Sequence, residues 1–386
     1  MSSWPGKFVI GLTGNIATGK SVVRKMLEHL GAYGIDADAL GHRAIAKGAP
    51  GYQPLVDMFG KWILGADGEI DRRKLGRLAF ADPEIMRQIE AIVHPLVRQA
   101  INWLVKRSPK DVIVIEAIKL LEGDLHKHCD SVWVVTAPME QQLVRLMQKR
   151  HLSREDALMR IKAQGSAKAK VAAADVVIYN DGSFEKTWEQ VQKAWRLVVP
   201  QQARASHAAR VAKREDQPKQ AEKAAQTPLT VKKAGPKQAA EIAEFLSAVS
   251  GEEVRRADVL AAFGEKAYLL LYRGQQIAGV LGWQVENLVS RINELYLLPD
   301  IALEEAAPLL MEEMERGSKE LQCEAALLFL PPATAKHPIW GKLGYRPREA
   351  ASLGMRAWQE AARESQKPGT VLLFKQLRLD RVLQPL

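Results

Sequence analysis

Phe8-Val9-Ile10-Gly11-Leu12-Thr13-Gly14-Asn15-Ile16-Ala17-Thr18-Gly19-Lys20-Ser21 runs an apolar strand into a glycine loop and then into a helical pattern. A phosphate cradle needs that order. Glycines let successive backbone N–H groups turn inward, and a helix that starts near Lys20 aims the positive end of its dipole at the same point. Lys20 then reaches the outer phosphates, and the Ser21 hydroxyl is placed to ligate Mg²⁺. The loop Gly14, Asn15, Ile16, Ala17, Thr18, Gly19 is therefore expected to hold the phosphates of a nucleoside triphosphate, with Mg²⁺ as cofactor.

The chain has 386 residues, more than one domain usually holds, and its 47% hydrophobic content is ordinary for globular proteins. Its first residues, Trp4-Pro5-Gly6-Lys7, lead straight into a strand without an apolar leader core, and no stretch is long enough to cross a bilayer. A cytoplasmic protein with no membrane partner is expected. The two cysteines, Cys129 and Cys323, lie far apart and read as core residues rather than as a disulfide or zinc site. Residues 201–233 hold eight Lys/Arg against three Asp/Glu, half of the net charge of +10. A surplus so concentrated argues against a nucleic-acid-binding face. The stretch from Pro200 to Pro228, rich in Ala, Gln and Lys, lacks the apolar residues of a core and reads as a linker. The expected domains are thus 1–200, a linker at 201–227, and 228–386. Nothing in such a linker would integrate two cores, so a chain ending near Val199 is expected to fold and work alone.

The first part alternates strands and helices, which predicts an α/β domain with a parallel sheet. Strands are expected at Phe8 to Thr13, Val112 to Glu116, Ser131 to Thr136 and Val176 to Tyr179, with a short one before Asp36. Asp82-Pro83-Glu84 starts a long helix with a capping aspartate and proline in the first turn, and Ser153-Arg154-Glu155-Asp156 caps another. Arg145, Lys149, Arg150, Arg154, Arg160 and Lys162 crowd two consecutive helices, a basic hairpin suited to close as a lid over a transferring phosphate. Arg145 and Arg154 are the preferred lid residues. Asp38, in Gly34-Ile35-Asp36-Ala37-Asp38, is placed to take a proton from an acceptor hydroxyl or to help hold a metal, and equally to cap the helix that follows.

Positions 1–200 resemble the dephospho-coenzyme A kinase family along their whole length. The resemblance is carried by Gly11-Leu12-Thr13-Gly14 and the loop after it, Ile35-Asp36-Ala37-Asp38, Gly48-Ala49-Pro50-Gly51, Asp67-Gly68 with Asp71-Arg72, and Phe80-Ala81-Asp82-Pro83. It continues through Val93-His94-Pro95-Leu96-Val97, Ala163-Gln164, and Ala174-Asp175-Val176-Val177-Ile178-Tyr179-Asn180-Asp181-Gly182. It implies ATP-dependent phosphorylation of the ribose 3′-hydroxyl of dephospho-coenzyme A, the last step of coenzyme A synthesis. It also implies Asp38 as general base, Thr13 and His94 in the acceptor pocket, and Asn180 near the adenine. One departure concerns the acceptor side: Lys119 stands where the family has proline. Asn180-Asp181-Gly182 is not the asparagine-lysine-x-aspartate that reads guanine, which disfavours a GTPase. A kinase of another small molecule, such as a nucleoside monophosphate, is the alternative.

The second part reads as strand, helix, helix, then strands at Ala267 to Tyr272, through Trp283 and through Leu297, a mostly antiparallel α+β sheet. It resembles the GCN5-related acetyltransferase fold around Ile339-Trp340-Gly341-Lys342-Leu343-Gly344-Tyr345-Arg346-Pro347. Active members of that family carry an arginine- and glycine-rich pyrophosphate loop, where this chain has Ile301-Ala302-Leu303-Glu304-Glu305-Ala306, and many have a tyrosine acid where it has Trp340. A binding or regulatory module is expected, with a bifunctional chain as the alternative. The sequence carries no signal for oligomeric state.

Overall fold

The computed structural model describes residues 3–150, 152–201, 203–204 and 228–378, with no statement possible for the side chains of 80, 81, 149 and 150. The linker expected at 201–227 lies almost wholly outside the described residues, as do the side chains of Lys149 and Arg150.

Five strands, β1 (Phe8–Thr13), β2 (Tyr33–Asp36), β3 (Val112–Glu116), β4 (Ser131–Thr136) and β5 (Val176–Tyr179), form a parallel sheet in the order β2-β3-β1-β4-β5. The four strands given residue bounds by their apolar runs fall on those same residues. The reason is burial on both faces: every residue of β3 is buried, so the run is continuous rather than alternating. Val9, Ile35, Ile113 and Ile115 pack on one side, Ile10, Leu12, Val114 and Trp133 on the other. Between the strands lie α1 (Lys20–His29), α2 (Ala37–Ala44), α3 (Tyr52–Phe59), α4 (Arg72–Ala81) and α5 (Pro83–Arg107). Asp82 caps α5, accepting from Glu84 N at 2.8 Å, and Pro95 lies inside that helix. The pair α6 (Met139–Arg150) and α7 (Arg154–Lys162) forms the hairpin expected from its charges, followed by α8 (Ala167–Ala172) and α9 (Phe184–Val198). Ser153 caps α7 as expected, accepting from Asp156 N at 3.1 Å.

A second sheet of seven strands runs β11-β12-β10-β9-β8-β7-β6. Its strands are β6 (Leu229–Lys233), β7 (Ala267–Arg273), β8 (Gln276–Glu286), β9 (Val289–Leu297), β10 (Ala325–Leu330), β11 (Arg346–Pro347) and β12 (Val371–Gln376), all antiparallel neighbours except β9 with β10. Two helices, α10 (Ala239–Ser250) and α11 (Arg256–Ala262), lie between β6 and β7, and the helix crossing from β9 to β10, α12 (Leu303–Glu320), buries Ala307, Leu310, Met311 and Met314 against the sheet. Trp340 and Trp358 are core residues.

The two sheets are not joined by the linker alone. Leu288 and Leu321 pack against the first unit's core around Tyr33, Leu40 and Leu104, and Phe184 packs against the second unit's core. His29 meets the Phe263 carbonyl at 2.9 Å, and Lys110 pairs with Glu320 at 3.3 Å. The apolar surface that would integrate the cores is absent from the linker because it lies on these distant loops. Residues 1–199 made alone are therefore expected to fold around their own sheet but to melt lower than the full chain, by about 2–4 °C per kcal/mol of lost contact. Scanning calorimetry of both chains reads this, and an unchanged melting temperature would show the contacts to contribute nothing.

Candidate active site

The first sheet's carboxyl edge gathers the polar residues. In a parallel sheet that edge, where connections leave a central strand in opposite directions, forms the binding crevice. Register brings the end of β3 beside the ends of both its neighbours, pairing Glu116 with Leu12 of β1 and with Asp36 of β2. The loop between β1 and α1 closes over that edge in a conformation that needs glycine. Gly14 has φ 151°, and a Cβ there would stand 2.2 Å from the Val135 carbonyl oxygen. Gly19, in the left-handed region at φ 94°, ends the loop, and a Cβ on it would stand 2.0 Å from Asn180 Nδ2. Ala17 also has positive φ, 58°.

The side chains expected to act together do so in part. Lys20 is buried, its Nζ donating to the Asn15 carbonyl at 3.2 Å, and burial lowers its pKa. The Ser21 hydroxyl donates to Glu116 Oε1 at 2.9 Å. Thr13, fully buried, donates to the Ile118 carbonyl at 3.1 Å. Arg145 reaches back from α6 to the loop, Nη1 donating to Ala17 O at 3.1 Å and Nη2 to Asn180 O at 3.1 Å. Asn180 seals the loop from the other side through Nδ2 to Thr18 O at 2.8 Å. Arg154 is not brought in. It is largely exposed on α7, 3.7 Å from Glu140. His94 lies on α5 and lines a cleft of about 480 Å³ with Glu90, Arg98 and Asn102, all on one face of the helix at four-residue spacing. Lys119, the departure on the acceptor side, pairs with Glu90 at 2.8 Å at this cleft.

The two readings of Asp38 separate cleanly. Asp36 is the cap of α2, accepting from Ala39 N at 2.9 Å, whereas Asp38 sits inside the first turn and accepts from Ile118 N at 3.1 Å. Burial, with Asp36 next to it, pushes the Asp38 carboxyl up to about 6. A carboxylate raised towards neutrality is a better proton acceptor at physiological pH than an ordinary one.

Several groups went unread in the sequence. Glu116, read there only as the end of a strand, accepts from Ser21 and, through Oε2, from Arg24 Nε at 2.7 Å. The signal was present: an acidic residue closing a wholly apolar buried strand. Lys170, buried, donates to the Ile118 carbonyl at 2.8 Å and pairs with Glu122 at 3.2 Å. Its Ala-Lys surroundings look like a solvated helix, so nothing in the sequence marks it. Gln164 Oε1 accepts from the loop amide of Ile16 at 2.6 Å, tying the lid hairpin to the loop.

This arrangement suits phosphoryl transfer from a magnesium-bound nucleotide. Among the described residues no cluster of three or more His, Cys, Asp or Glu is placed to hold a metal. A hydroxyl and one carboxylate, Ser21 and Glu116, are a fitting donor set for Mg²⁺, which keeps waters and takes its remaining oxygens from substrate phosphates.

The sequence profile of the dephospho-CoA kinase family matches residues 8–186. The dephospho-CoA kinase of Carboxydothermus hydrogenoformans is 45% identical over 186 residues, covering 47% of this chain and 90% of that protein. That of Symbiobacterium thermophilum is 44% identical over 191 residues, covering 49% of this chain and 80% of that protein. Among solved structures, the PaiA N-acetyltransferase of Thermoplasma acidophilum, in complex with coenzyme A, is similar over 38% of this chain and 98% of its own, at 12% identity and a TM-score of 0.30. So slight a likeness says nothing of what the second unit binds.

Lys20→Ala is expected to cut turnover by on the order of 10²–10³, the usual cost of removing one donor from a charged transition state, while melting stays level or rises because a buried cation is removed. Gly19→Ala is expected to lower both melting and nucleotide affinity, since the new methyl collides with Asn180. Turnover, nucleotide titration and thermal melting together read both variants. Near wild-type turnover in Lys20→Ala would remove the loop from the site.

Proposed function

Because the chain belongs to the dephospho-coenzyme A kinase family, we propose that it transfers the γ-phosphate of ATP to the ribose 3′-hydroxyl of dephospho-coenzyme A, the last step of coenzyme A synthesis, with Asp38 as general base. The observation that carries the residue assignment is the raised, half-buried carboxyl of Asp38 at the same sheet edge as Lys20 and Glu116.

Asp38 accepts the proton of the acceptor hydroxyl as the oxygen attacks the γ-phosphorus and the bond to the β-phosphate oxygen breaks. The Ile118 amide holds the carboxylate in place as it does so. Lys20 and the loop amides neutralise charge on the β- and γ-phosphates, and Ser21 with Glu116 would hold Mg²⁺, which supplies further charge neutralisation when bound. Arg145 already spans the loop and Asn180. Arg154 joins only if the α6–α7 hairpin closes. Thr13 and His94 are assigned to the acceptor side, His94 with Arg98 beside it in the α5 cleft as a cation for an acceptor phosphate, and Thr13 buried, bonded to the Ile118 carbonyl. Asn180 borders the nucleotide base. The transferred group passes beside the buried cation Lys20, and charges held away from water act more strongly than exposed ones.

For the remainder of the chain we take 1–200 as the kinase domain, 201–227 as a basic linker and 228–386 as an acetyltransferase-like module without transferase chemistry. What supports this is the start of α12, where Ala302 offers no capping side chain and Glu304 and Glu305 occupy the first turn. Glu304 there pairs with His337 at 3.0 Å. Carboxylates at a helix start compete with any phosphate for the same positive dipole. An acetylation assay on generic amines with acetyl-coenzyme A tests the alternative of a bifunctional chain, and clear transfer would establish it. The protein is read as acting in the cytoplasm on a small molecule, without nucleic acid. Among the described residues no helix is long and apolar enough to cross a membrane.

Asp38→Asn is expected to lower kcat by on the order of 10²–10⁴ with ATP affinity nearly unchanged. Wild-type kcat is expected to fall below pH about 6 as Asp38 takes up its proton. The stability effect has the opposite sign. A carboxyl that binds its proton more tightly folded than unfolded costs stability as pH rises from about 4 through about 6. Asn escapes that cost, so the variant is expected to melt no lower than wild type at pH 8. Turnover with ATP and dephospho-coenzyme A, run beside nucleoside monophosphates, gives the test. Undiminished kcat in Asp38→Asn would place the base elsewhere, and preference for a nucleoside monophosphate would support the other kinase reading.

A further inference from the structure

The β8–β9 hairpin of the second unit reaches the first at one point, its tip. Asn287 and Leu288 form that tip with φ of 51° and 61°. Positive φ at both central residues is the geometry of the tight hairpin turn that asparagine followed by glycine adopts without cost. Leucine there is strained, and strain persists only where the surroundings compensate for it. The compensation is visible: Leu288 packs into the first unit's core cluster beside Tyr33, Leu40 and Leu104. Only about 40 Å³ of space remains around this junction.

The same tip is bonded to α2. Arg43, buried near the end of that helix, donates through Nη1 to the Asn287 carbonyl at 2.7 Å and through Nη2 to Glu324 Oε2 at 2.5 Å. Glu324 is almost fully buried, and its own amide donates to the Leu288 carbonyl at 2.7 Å, so hairpin tip and carboxylate form one unit. A buried arginine held by a carboxylate and a carbonyl has little freedom to shift, because leaving either acceptor strands a charge away from water. Arg43 is five residues from Asp38, about 7.5 Å along the helix axis. Within the first unit, Asp36 caps the helix's start, Asp38 accepts from Ile118 N, and Ala37 and Leu40 pack into the core. At the far end the Ala44 carbonyl accepts from Gly51 N at 2.9 Å, and Arg43 ties that end to the second unit.

We propose that Asn287, Leu288 and Glu324 of the second unit are positioning residues for the kinase reaction: by holding Arg43 they set the placement of α2, and with it the carboxylate of Asp38. The second unit is then part of the kinase rather than an appendage, and its contribution is made in kcat. This inference rests on the reading of Asp38 as the base.

Two variants of the full chain test it. Glu324→Gln keeps an acceptor for Arg43 but removes the charge. Leu288→Gly removes the docking side chain and places glycine where the backbone already needs a positive φ, so the hairpin itself is favoured and misfolding of the second unit is avoided. In both, kcat per folded molecule is expected to fall by about 3- to 30-fold, with KM for ATP within about two-fold and the acid limb of kcat moved by about half a unit or more, since one pKa unit reports a tenfold change in the balance of protonation states. A contact with a merely structural role would lower melting and the folded fraction but leave kcat per folded molecule and the acid limb in place. That result in both variants would overturn the proposal. Asp38→Asn in parallel separates the two levels: if it abolishes turnover while Glu324→Gln and Leu288→Gly act as wild type, the base stands and the positioning role fails. If Asp38→Asn retains turnover, the base assignment itself fails.

Discussion

The kinase site depends on one carboxylate, Glu116. It ends a strand that lies between two others, so its neighbours in register are the strand that feeds the phosphate loop and the strand that feeds α2. Its two oxygens accept from Ser21 and Arg24, both on the first helix after the loop. The loop helix, β1 and the segment entering α2 are therefore referred to one charged group. Burial alone would favour losing charge here, yet Arg24, caught between Glu28 and Glu116, is held firmly protonated. The network remains ionic because each buried charge faces an opposite one, and breaking such a pair costs more than the pair contributes.

Cations and anions alternate around the reacting position. Lys20 and Lys170 stand among Glu116, Asp36 and Asp38; burial lowers the pKa of Lys20, against the pull of Glu116 and Asp38, and burial with Asp36 raises that of Asp38. Asp36 and Asp38 cannot both be ordinary carboxylates at such a spacing, and burial raises both. A backbone bond partly offsets the rise at each, from Ala39 N at Asp36 and from Ile118 N at Asp38. The lid contributes through backbone recognition as much as through charge. Gln164 and Arg145 bind loop amides and carbonyls, and Ile16 and Ala17 pack against the lid's apolar cluster. Lid and loop are thus one cooperative piece, and movement of the hairpin must alter the loop.

What the sequence made legible follows from how local each signal is. A strand buried on both faces, a capping serine and a glycine loop are written in adjacent residues, which is why β1, β3, β4, β5 and the cap at Ser153 were readable at residue level. Asp38 was legible as a candidate but not as distinct from a cap, because choosing between Asp36 and Asp38 needs the position of Ala39 N. Arg154 shows what spacing leaves open: a basic hairpin has two faces, and spacing alone does not say which arginine meets the loop. Lys170 depends on the path of the chain after the lid, which no local pattern encodes, and Gln164 is marked by the Ala163-Gln164 pair but its partner, the Ile16 amide, is not.

The junction between the units was the least legible feature, for the same reason. Arg43 looks like a solvated charge on a short helix, Glu324 like a polar residue before a strand, and Leu288 like an ordinary hairpin residue. Each takes its meaning from a partner more than 240 positions away. The linker misled because its composition was read as a measure of coupling, whereas coupling is set by whichever surfaces meet. Once a buried arginine of the catalytic helix has both its acceptors in the other unit, the two folds share a single energetic fate at that helix. Any motion that frees the second unit must break both bonds of Arg43 or carry α2 with it, and it must also part Leu288 and Leu321 from the core around Tyr33 and Leu104.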